Sequence, residues 1–272
     1  MKALLMSRID NPDVLAYAGE IEELLISMGY QVRLEGGTAI ALGRENEGEW
    51  LDRTDADIIV TFGGDGTVLL AVQQMVRQIP VIGINKGHVG FLAELEAAEV
   101  PEFFSGLKER MRIERRMRIS LSMDGKTIGD ALNEAVIVTA RPAKMLRFTI
   151  IIDDVEVEEF RADGLIIATP TGSTAYAMSG GGPIVDPKCD GFLLVPLAPY
   201  MLSNRPHFID SSRNLRIRLE SFKPAQIVLD GQGGTTIGSG TEIMVCRSDA
   251  PALFVDAGKN FFLKVREKLH NL

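Results

Sequence analysis

Ile58-Ile59-Val60-Thr61-Phe62-Gly63-Gly64-Asp65-Gly66-Thr67-Val68-Leu69-Leu70-Ala71-Val72 decides how this chain is read. The first five residues are apolar or β-branched and read as a buried strand; the last five read as the start of a helix. Glycines at the turn between them let the backbone approach a ligand closely, since no Cβ blocks it. The new helix offers unpaired N–H groups and a positive dipole end, which suit phosphate. Asp65 is odd there, because its charge repels phosphate unless a metal ion or a hydroxyl proton gives it a role. Gly63, Gly64, Asp65, Gly66 and Thr67 therefore read as a place where an anion and a carboxylate work together, as in phosphoryl transfer to an alcohol. The Gly-Lys-Ser/Thr ending of the P-loop and the spaced glycines of the dinucleotide fingerprint are both missing. A tight turn with Asp65 as a helix N-cap fits the same residues.

Working outward, residues 2–6 read as a strand, and Asn11-Pro12 as an N-cap with proline at the first helical position. Leu15, Ala18, Ile21, Leu25 and Met28 recur at helical spacing up to Gly29, which suits a left-handed C-terminal cap. Strands are expected at 30–34, 57–62 and 80–84, with a helix from 67 to about 77 and another near 98–112. This β/α alternation predicts a Rossmann-like α/β domain with a parallel sheet, whose strand ends are where ligands bind.

Beyond that the pattern changes. Short β-rich runs follow at 116–123, 135–139, 146–152, 164–168, 215–219, 226–229 and 242–246. Asp124-Gly125 is a hairpin signal, and Asp153-Asp154 reads as another turn. This half predicts a mostly antiparallel β-sandwich. Phe261, Phe262, Val265 and Leu269 return to helical spacing, so 259–272 is expected to pack back on the first domain. The expected divisions are 1–98, 99–256 and 257–272, with the charged cluster 109–116 at the crossing.

At 272 residues, 46% hydrophobic and 24% charged, the chain has ample core. Its net charge of -8 argues against broad nucleic-acid binding. No apolar run reaches membrane-spanning length, and the N-terminal apolar stretch is too short for a signal peptide. Cys189 and Cys246 show no metal-ligand spacing and point to a reducing cytoplasm. His207 and His270 show no metal spacing either. His88 reads as a structural residue.

A second constellation runs from Phe160 to Pro183 and includes Thr169-Pro170-Thr171-Gly172-Ser173-Thr174-Ala175-Tyr176-Ala177-Met178-Ser179-Gly180-Gly181-Gly182. Its prolines, glycines and hydroxyls exclude a simple strand and suit ribose hydroxyls and amides. Asn133-Glu134 lies upstream; Ala198 and Val228-Leu229-Asp230-Gly231-Gln232 lie downstream. Asn133 offers a donor and an acceptor, Tyr176 a ring and a hydroxyl, while Glu134 either holds a ribose hydroxyl or faces solvent.

Taken in order with the Gly63–Thr67 turn and Asn85-Lys86-Gly87-His88-Val89-Gly90-Phe91-Leu92, the sequence resembles the NAD kinase family over residues 57–262. The resemblance implies an α/β domain joined to a β-sandwich, and transfer of a terminal phosphoryl group to the 2′-hydroxyl of the adenosine ribose of NAD, giving NADP. It implies Asp65 as proton acceptor. It also implies a dinucleotide site at Asp65, Gly66, Asn133, Glu134, Lys144, Arg161, Asp163, Thr174, Ala175, Tyr176, Ala177, Met178, Ser179, Ala198 and Gln232. A divalent metal, normally magnesium, is expected with the nucleotide, and a dimer or tetramer in which a neighbouring subunit helps to close the site. The donor is left open between ATP, other nucleoside triphosphates and polyphosphate. Competing readings are a lipid or sugar kinase sharing the Gly-Gly-Asp-Gly turn, which the 161–179 pattern disfavours, and a non-catalytic NAD(P)-binding sensor, which the retained Asp65 disfavours.

Overall fold

The computed structural model describes residues 1–86, 90–141, 144–201 and 203–270. The chain opens with β1 (Lys2–Ser7), α1 (Pro12–Ser27), β2 (Gln31–Glu35), α2 (Gly36–Ala41), β3 (Gly48–Glu49), β4 (Ile58–Phe62), α3 (Asp65–Gln74), β5 (Val81–Asn85), β6 (Leu95–Glu96), α4 (Val100–Arg110) and β7 (Ile113–Arg116). It continues with β8 (Ile119–Met123), β9 (Lys126–Ala131), β10 (Glu134–Thr139), β11 (Leu146–Ile152), β12 (Val155–Ala162), β13 (Gly164–Ala168), α5 (Tyr176–Ser179), β14 (Gly191–Leu197), β15 (His207–Asp210), β16 (Leu215–Leu219), β17 (Ala225–Leu229), β18 (Gln232–Ile237) and β19 (Glu242–Arg247). It closes with β20 (Ala252–Val255) and α6 (Phe261–His270).

Two compact units result, residues 1–115 with 252–272, and residues 116–251. The divisions expected at 98/99 and 256/257 fall elsewhere. Helix α4 buries Phe104 and Leu107 in the first unit's core, and β20 joins the first unit's sheet beside β5.

The first unit is built on one sheet in the order β3-β2-β1-β4-β5-β20-β7, with β6 paired to β5. The pairings of β1 with β2 and β4, and of β4 with β5, are parallel. That requires crossover helices, and both central strands are accordingly buried along their length. Helix α1 starts as its sequence dictates: the Asn11 side chain accepts from the N–H groups of Asp13 and Val14 at 3.1 and 3.3 Å, and Gly29 caps the end at φ +76°.

The second unit is a sandwich of two six-stranded sheets, β15-β14-β13-β10-β17-β18 and β12-β11-β16-β19-β8-β9. Every pairing recorded within them is antiparallel. One core takes Ile137, Leu165 and Ile227 from the first sheet and Phe148, Ile217 and Ile243 from the second, as alternating inward residues of facing sheets do. The turns foreseen at Asp124-Gly125 and Asp153-Asp154 are hairpins with these residues in the left-handed region. Residues 116–123, expected as one strand, divide into β7 and β8, which belong to different sheets.

Candidate functional site

In the first unit, β4 ends at Phe62 and α3 begins at Asp65, so Gly63 and Gly64 form the link. The Gly63 N–H donates to the Ile84 carbonyl at 3.1 Å, which ties the turn to β5. Asp65 occupies the first helical position without capping its own helix, for Gly64 is the N-cap residue. Its carboxylate instead receives three consecutive backbone N–H groups. Phe91 donates to Oδ2 at 2.8 Å, and Leu92 and Ala93 both donate to Oδ1 at 2.9 Å. A carboxylate has about four lone-pair sites, so one direction on Oδ2 stays free of this grip. The contact is close enough to forbid a side chain at Gly90, whose Cβ would lie 1.7 Å from Oδ1. Gly64 and Gly66, by contrast, have open space where a Cβ would go. The protein itself does not fill that space, and a ligand can.

The loop that grips Asp65 is held from behind by α6. Lys264 is buried, pairs with Glu94, and donates to the Phe91 carbonyl at 3.2 Å. The Phe91 ring meets that of Phe261 at a centroid distance of 6.1 Å. The Lys268 ammonium lies 4.2 Å from the centroid of the Phe91 ring. Burial pushes the Lys268 pKa down, with the Asp65 charge opposing the fall and Lys264 adding to it. A protonated Lys268 therefore brings a positive charge to the neighbourhood of Asp65. None of these α6 roles was read from sequence, where the helix showed only its apolar spacing. His88 lies outside the described residues.

In the second unit the polar block wraps around the start of β10. The Thr169 hydroxyl donates to the Leu132 carbonyl at 2.6 Å, and the Thr169 N–H donates to the Asn133 carbonyl at 2.8 Å. Residues 171–174 make a single turn of 3-10 helix, and α5 follows. The N–H of Tyr176 then donates to the Glu134 carboxylate. Glu134 is buried, and its Oε2 has no hydrogen-bond partner among the described residues. Burial, then the charge of Asp230, pushes the Glu134 pKa up to about 7. The sequence left Glu134 between solvent and ligand; the structure puts it inside, with one oxygen unspent. Such an oxygen costs free energy unless a ligand donor meets it.

Asp230 was not singled out from sequence. It receives the N–H groups of Leu132, Asn133 and Glu134 at 2.7, 2.8 and 3.0 Å. The Asp-Gly pair between β17 and β18 was a readable hairpin signal, but its carboxylate acts on residues 96 to 98 positions upstream.

The remaining expected residues divide. Tyr176 and Ser179 are exposed, Ala175 and Met178 half-buried, all on or beside α5 near Glu134. Thr174 is buried with its hydroxyl donated to the Thr171 carbonyl at 3.3 Å, and the Ala177 side chain lies in a small core with Val136, Ile166 and Val195. Both side chains are turned into the fold, so only their backbone is available to a ligand. The hydroxyls of Thr169 and Ser173 are likewise spent on backbone carbonyls, those of Leu132 and Pro170. Arg161 is exposed on β12, its guanidinium 4.9 Å from the Tyr200 ring centroid. Asp163 is half-buried between β12 and β13, and Ala198 is exposed in the left-handed region at φ +44°. Gln232 is exposed beside the Asp230 hairpin, and Lys144 is exposed ahead of β11.

Both clusters lie in stretches that match known family models. Residues 8–111 match the ATP-NAD kinase N-terminal domain, and residues 132–257 match the ATP-NAD kinase C-terminal domain. The NAD kinase of Methanoculleus marisnigri is 56% identical over 272 residues, and that of Methanoregula boonei 53%, each alignment covering 100% of both chains. Among solved structures, an NAD kinase from Archaeoglobus fulgidus in complex with ATP superposes with a TM-score of 0.82 at 31% identity, over 100% of both chains. Yeast NADH kinase complexed with NADH superposes with a TM-score of 0.87 at 24% identity, covering 100% of this chain and 88% of its own, and attests the fold. With relatives this similar along its whole length, the chain belongs to the NAD kinase family.

Proposed function

We propose that this protein phosphorylates the 2′-hydroxyl of the adenosine ribose of NAD to give NADP, with a nucleoside triphosphate such as ATP as donor. The observation that carries the reading is Asp65: three N–H groups fix its position, and the lone pair left on Oδ2 can take a hydroxyl proton. In the reaction the ribose oxygen forms a bond to the terminal phosphorus, and the bridging P–O bond of the donor breaks. The hydroxyl proton passes to Asp65 and then to solvent, and the nucleoside diphosphate leaves. A positioned base contributes roughly 10²–10⁴-fold, and most of the remainder comes from alignment and charge stabilisation. Gly63, Gly64, Gly66 and Thr67 form the donor loop, with α3 presenting its N-terminus to the phosphates.

NAD is bound by Asn133, Glu134, Lys144, Arg161, Asp163, residues 174–179, Ala198 and Gln232. The unspent Glu134 oxygen supports this for a ligand hydroxyl or amide. ATP as donor is supported by the likeness to the ATP-bound Archaeoglobus fulgidus enzyme.

Among the described residues no three His, Cys, Asp or Glu side chains are grouped to hold a metal ion. Magnesium keeps several waters and needs few protein carboxylates, so the ion would arrive on the triphosphate. Asp65 is the carboxylate within the donor loop. Bound there, the ion would neutralise charge on the phosphates. Self-association to a dimer or tetramer is supported by the exposed Tyr200, Met201 and Phe208 of the second unit. A cytoplasmic setting is supported by the two free cysteines.

The test is NADP formation by the purified protein with NAD and magnesium, supplied in parallel with ATP or polyphosphate. NADP is expected with wild type and is expected to collapse with Asp65→Asn. Bound NAD without any NADP would favour the sensor reading.

A further inference from the structure

Beside the glycine turn, within the first unit, lies a cavity of about 550 Å³ whose lining includes Arg8, Trp50, Gly64, Gly66, Leu70 and Gln74. That volume is in the range of small-molecule sites. Trp50 is the only tryptophan in the chain. One part of its indole lies flat against the backbone of Gly36, where a Cβ would come within 2.7 to 2.8 Å of three ring atoms. The glycine there is a seat for the ring. Yet the side chain is 44% exposed, so the ring is braced on one side and open on the other. Helix α2, which carries Gly36, is itself fixed by Glu35, whose carboxylate accepts from the N–H groups of Gly37 and Thr38 at 2.8 and 3.0 Å. A braced, half-exposed indole on a cavity wall is a stacking platform for a flat ring. The exposed Gln74 amide, which has no partner among the described residues, supplies a donor and an acceptor to the same cavity.

The charges of the lining point the same way. Its one cation is Arg8, engaged by both oxygens of Asp10. Asp10 and Glu35 add two carboxylates. A long polyanion would meet more negative than positive charge here, whereas a neutral nucleobase would not. The open backbone of Gly64 and Gly66 lines the same cavity.

We propose that this cavity is the nucleoside subsite of the phosphoryl donor. The base stacks on the open face of Trp50 with Gln74 at its edge, and the phosphates extend to Gly64, Gly66 and Thr67. The subsite rests on the kinase reading above and makes the donor a nucleoside triphosphate, with inorganic polyphosphate excluded as the preferred one. Gln74 can rotate its amide, so the site selects for a base without committing to one.

The single tryptophan supplies the test. Fluorescence of the full-length protein, excited beyond the tyrosine band, is titrated with a non-hydrolysable ATP analogue plus magnesium and, separately, with inorganic tripolyphosphate. Saturable change with the analogue and none with tripolyphosphate is expected. Trp50→Ala is expected to raise KM for ATP about ten- to a hundredfold, from the loss of one base–aromatic stack, while KM for NAD stays put and Trp50→Phe recovers most of the loss. Fluorescence that ignores the analogue at concentrations saturating turnover overturns the subsite, and so does an unchanged KM for ATP in Trp50→Ala. The kinase reading fails separately, by absence of NADP with every donor, whatever the fluorescence does.

Discussion

Asp65 in the first unit and Asp230 in the second use the same local device, and use it differently. Each is followed by a glycine, and each carboxylate collects three consecutive backbone N–H groups from a distant segment, 91–93 for Asp65 and 132–134 for Asp230. Asp230 is 5% exposed and sits inside the hairpin that starts β18. Its charge is spent on organising the start of β10, and it adds to the burial that drives the Glu134 pKa up to about 7. Asp65 is half-buried, and its neighbours Gly64 and Gly66 border open space. Three N–H groups thus make Asp230 a structural clasp, and on the proposed function they make Asp65 a positioned base. The difference is exposure: Asp230 is buried, whereas Asp65 is half-buried beside the open backbone of Gly64 and Gly66.

The largest expected effect separates the two directly. Asp65→Asn should lower turnover by about 10²–10⁴-fold. An asparagine keeps one oxygen for Leu92 and Ala93 but sets an N–H against that of Phe91, so the loop shifts as well. Calorimetric titration with NAD checks that the dinucleotide still binds. Near-normal turnover in this variant would reduce Asp65 to a second clasp.

Asp230→Ala should act on stability first. Three N–H groups lose a charged partner, each such hydrogen bond being worth roughly 1.5–3 kcal/mol, and alanine takes poorly to the φ of +48° found there. Relief of Glu134 offsets part of the loss, leaving a net cost on the order of 3 kcal/mol. Urea unfolding measures it. A variant that unfolds like wild type yet loses turnover would erase the contrast with Asp65.

Glu134 sharpens the comparison through pH. Its pKa rises from the ordinary 4.5 to about 7 on folding, so between those values the folded state holds a proton that the unfolded state releases. Stability therefore falls as pH rises through that window, by up to something on the order of 3 kcal/mol above it. Glu134→Gln cannot ionise, so its melting temperature should match or trail wild type near pH 4.5 and exceed it above pH 7. A parallel loss of NAD affinity is expected, since the ionised carboxylate accepts ligand protons that the amide accepts less strongly. A melting difference independent of pH would contradict the buried, Asp230-shadowed setting.

Much of the fold was legible because local pattern and tertiary role agree. Residues 146–152, 164–168 and 215–219 were bounded correctly from their alternating or continuous apolar character. Helix α2 was not foreseen, since Gly36 and Gly37 argue against a helix and the cap that starts it is a glutamate. Nor was β20, whose place in the first sheet is set by parallel pairing with a strand about 170 residues earlier. In the site, the glycine turn was readable because strand, glycines and carboxylate lie together in sequence. Asp230 was missed because its partners are remote. Thr174 and Ala177 were expected to face ligand through the family resemblance, whereas packing turns both side chains inward.

The smallest expected effect concerns Tyr176. Its backbone N–H serves Glu134, while its ring is 45% exposed. Tyr176→Ala therefore keeps the hydrogen bond to Glu134 and removes only the ring, which makes it a cleaner probe than any change at Glu134 itself. If the ring lies along the dinucleotide, its loss weakens substrate and transition state alike, so KM for NAD rises while kcat barely moves. A partly exposed stack is worth roughly 1 kcal/mol, or about a fivefold change in affinity, readable by calorimetry. Unchanged NAD affinity would leave Tyr176 contributing through its backbone alone. The dinucleotide-facing chemistry of this turn would then rest on Glu134 and the Asp230 clasp beneath it.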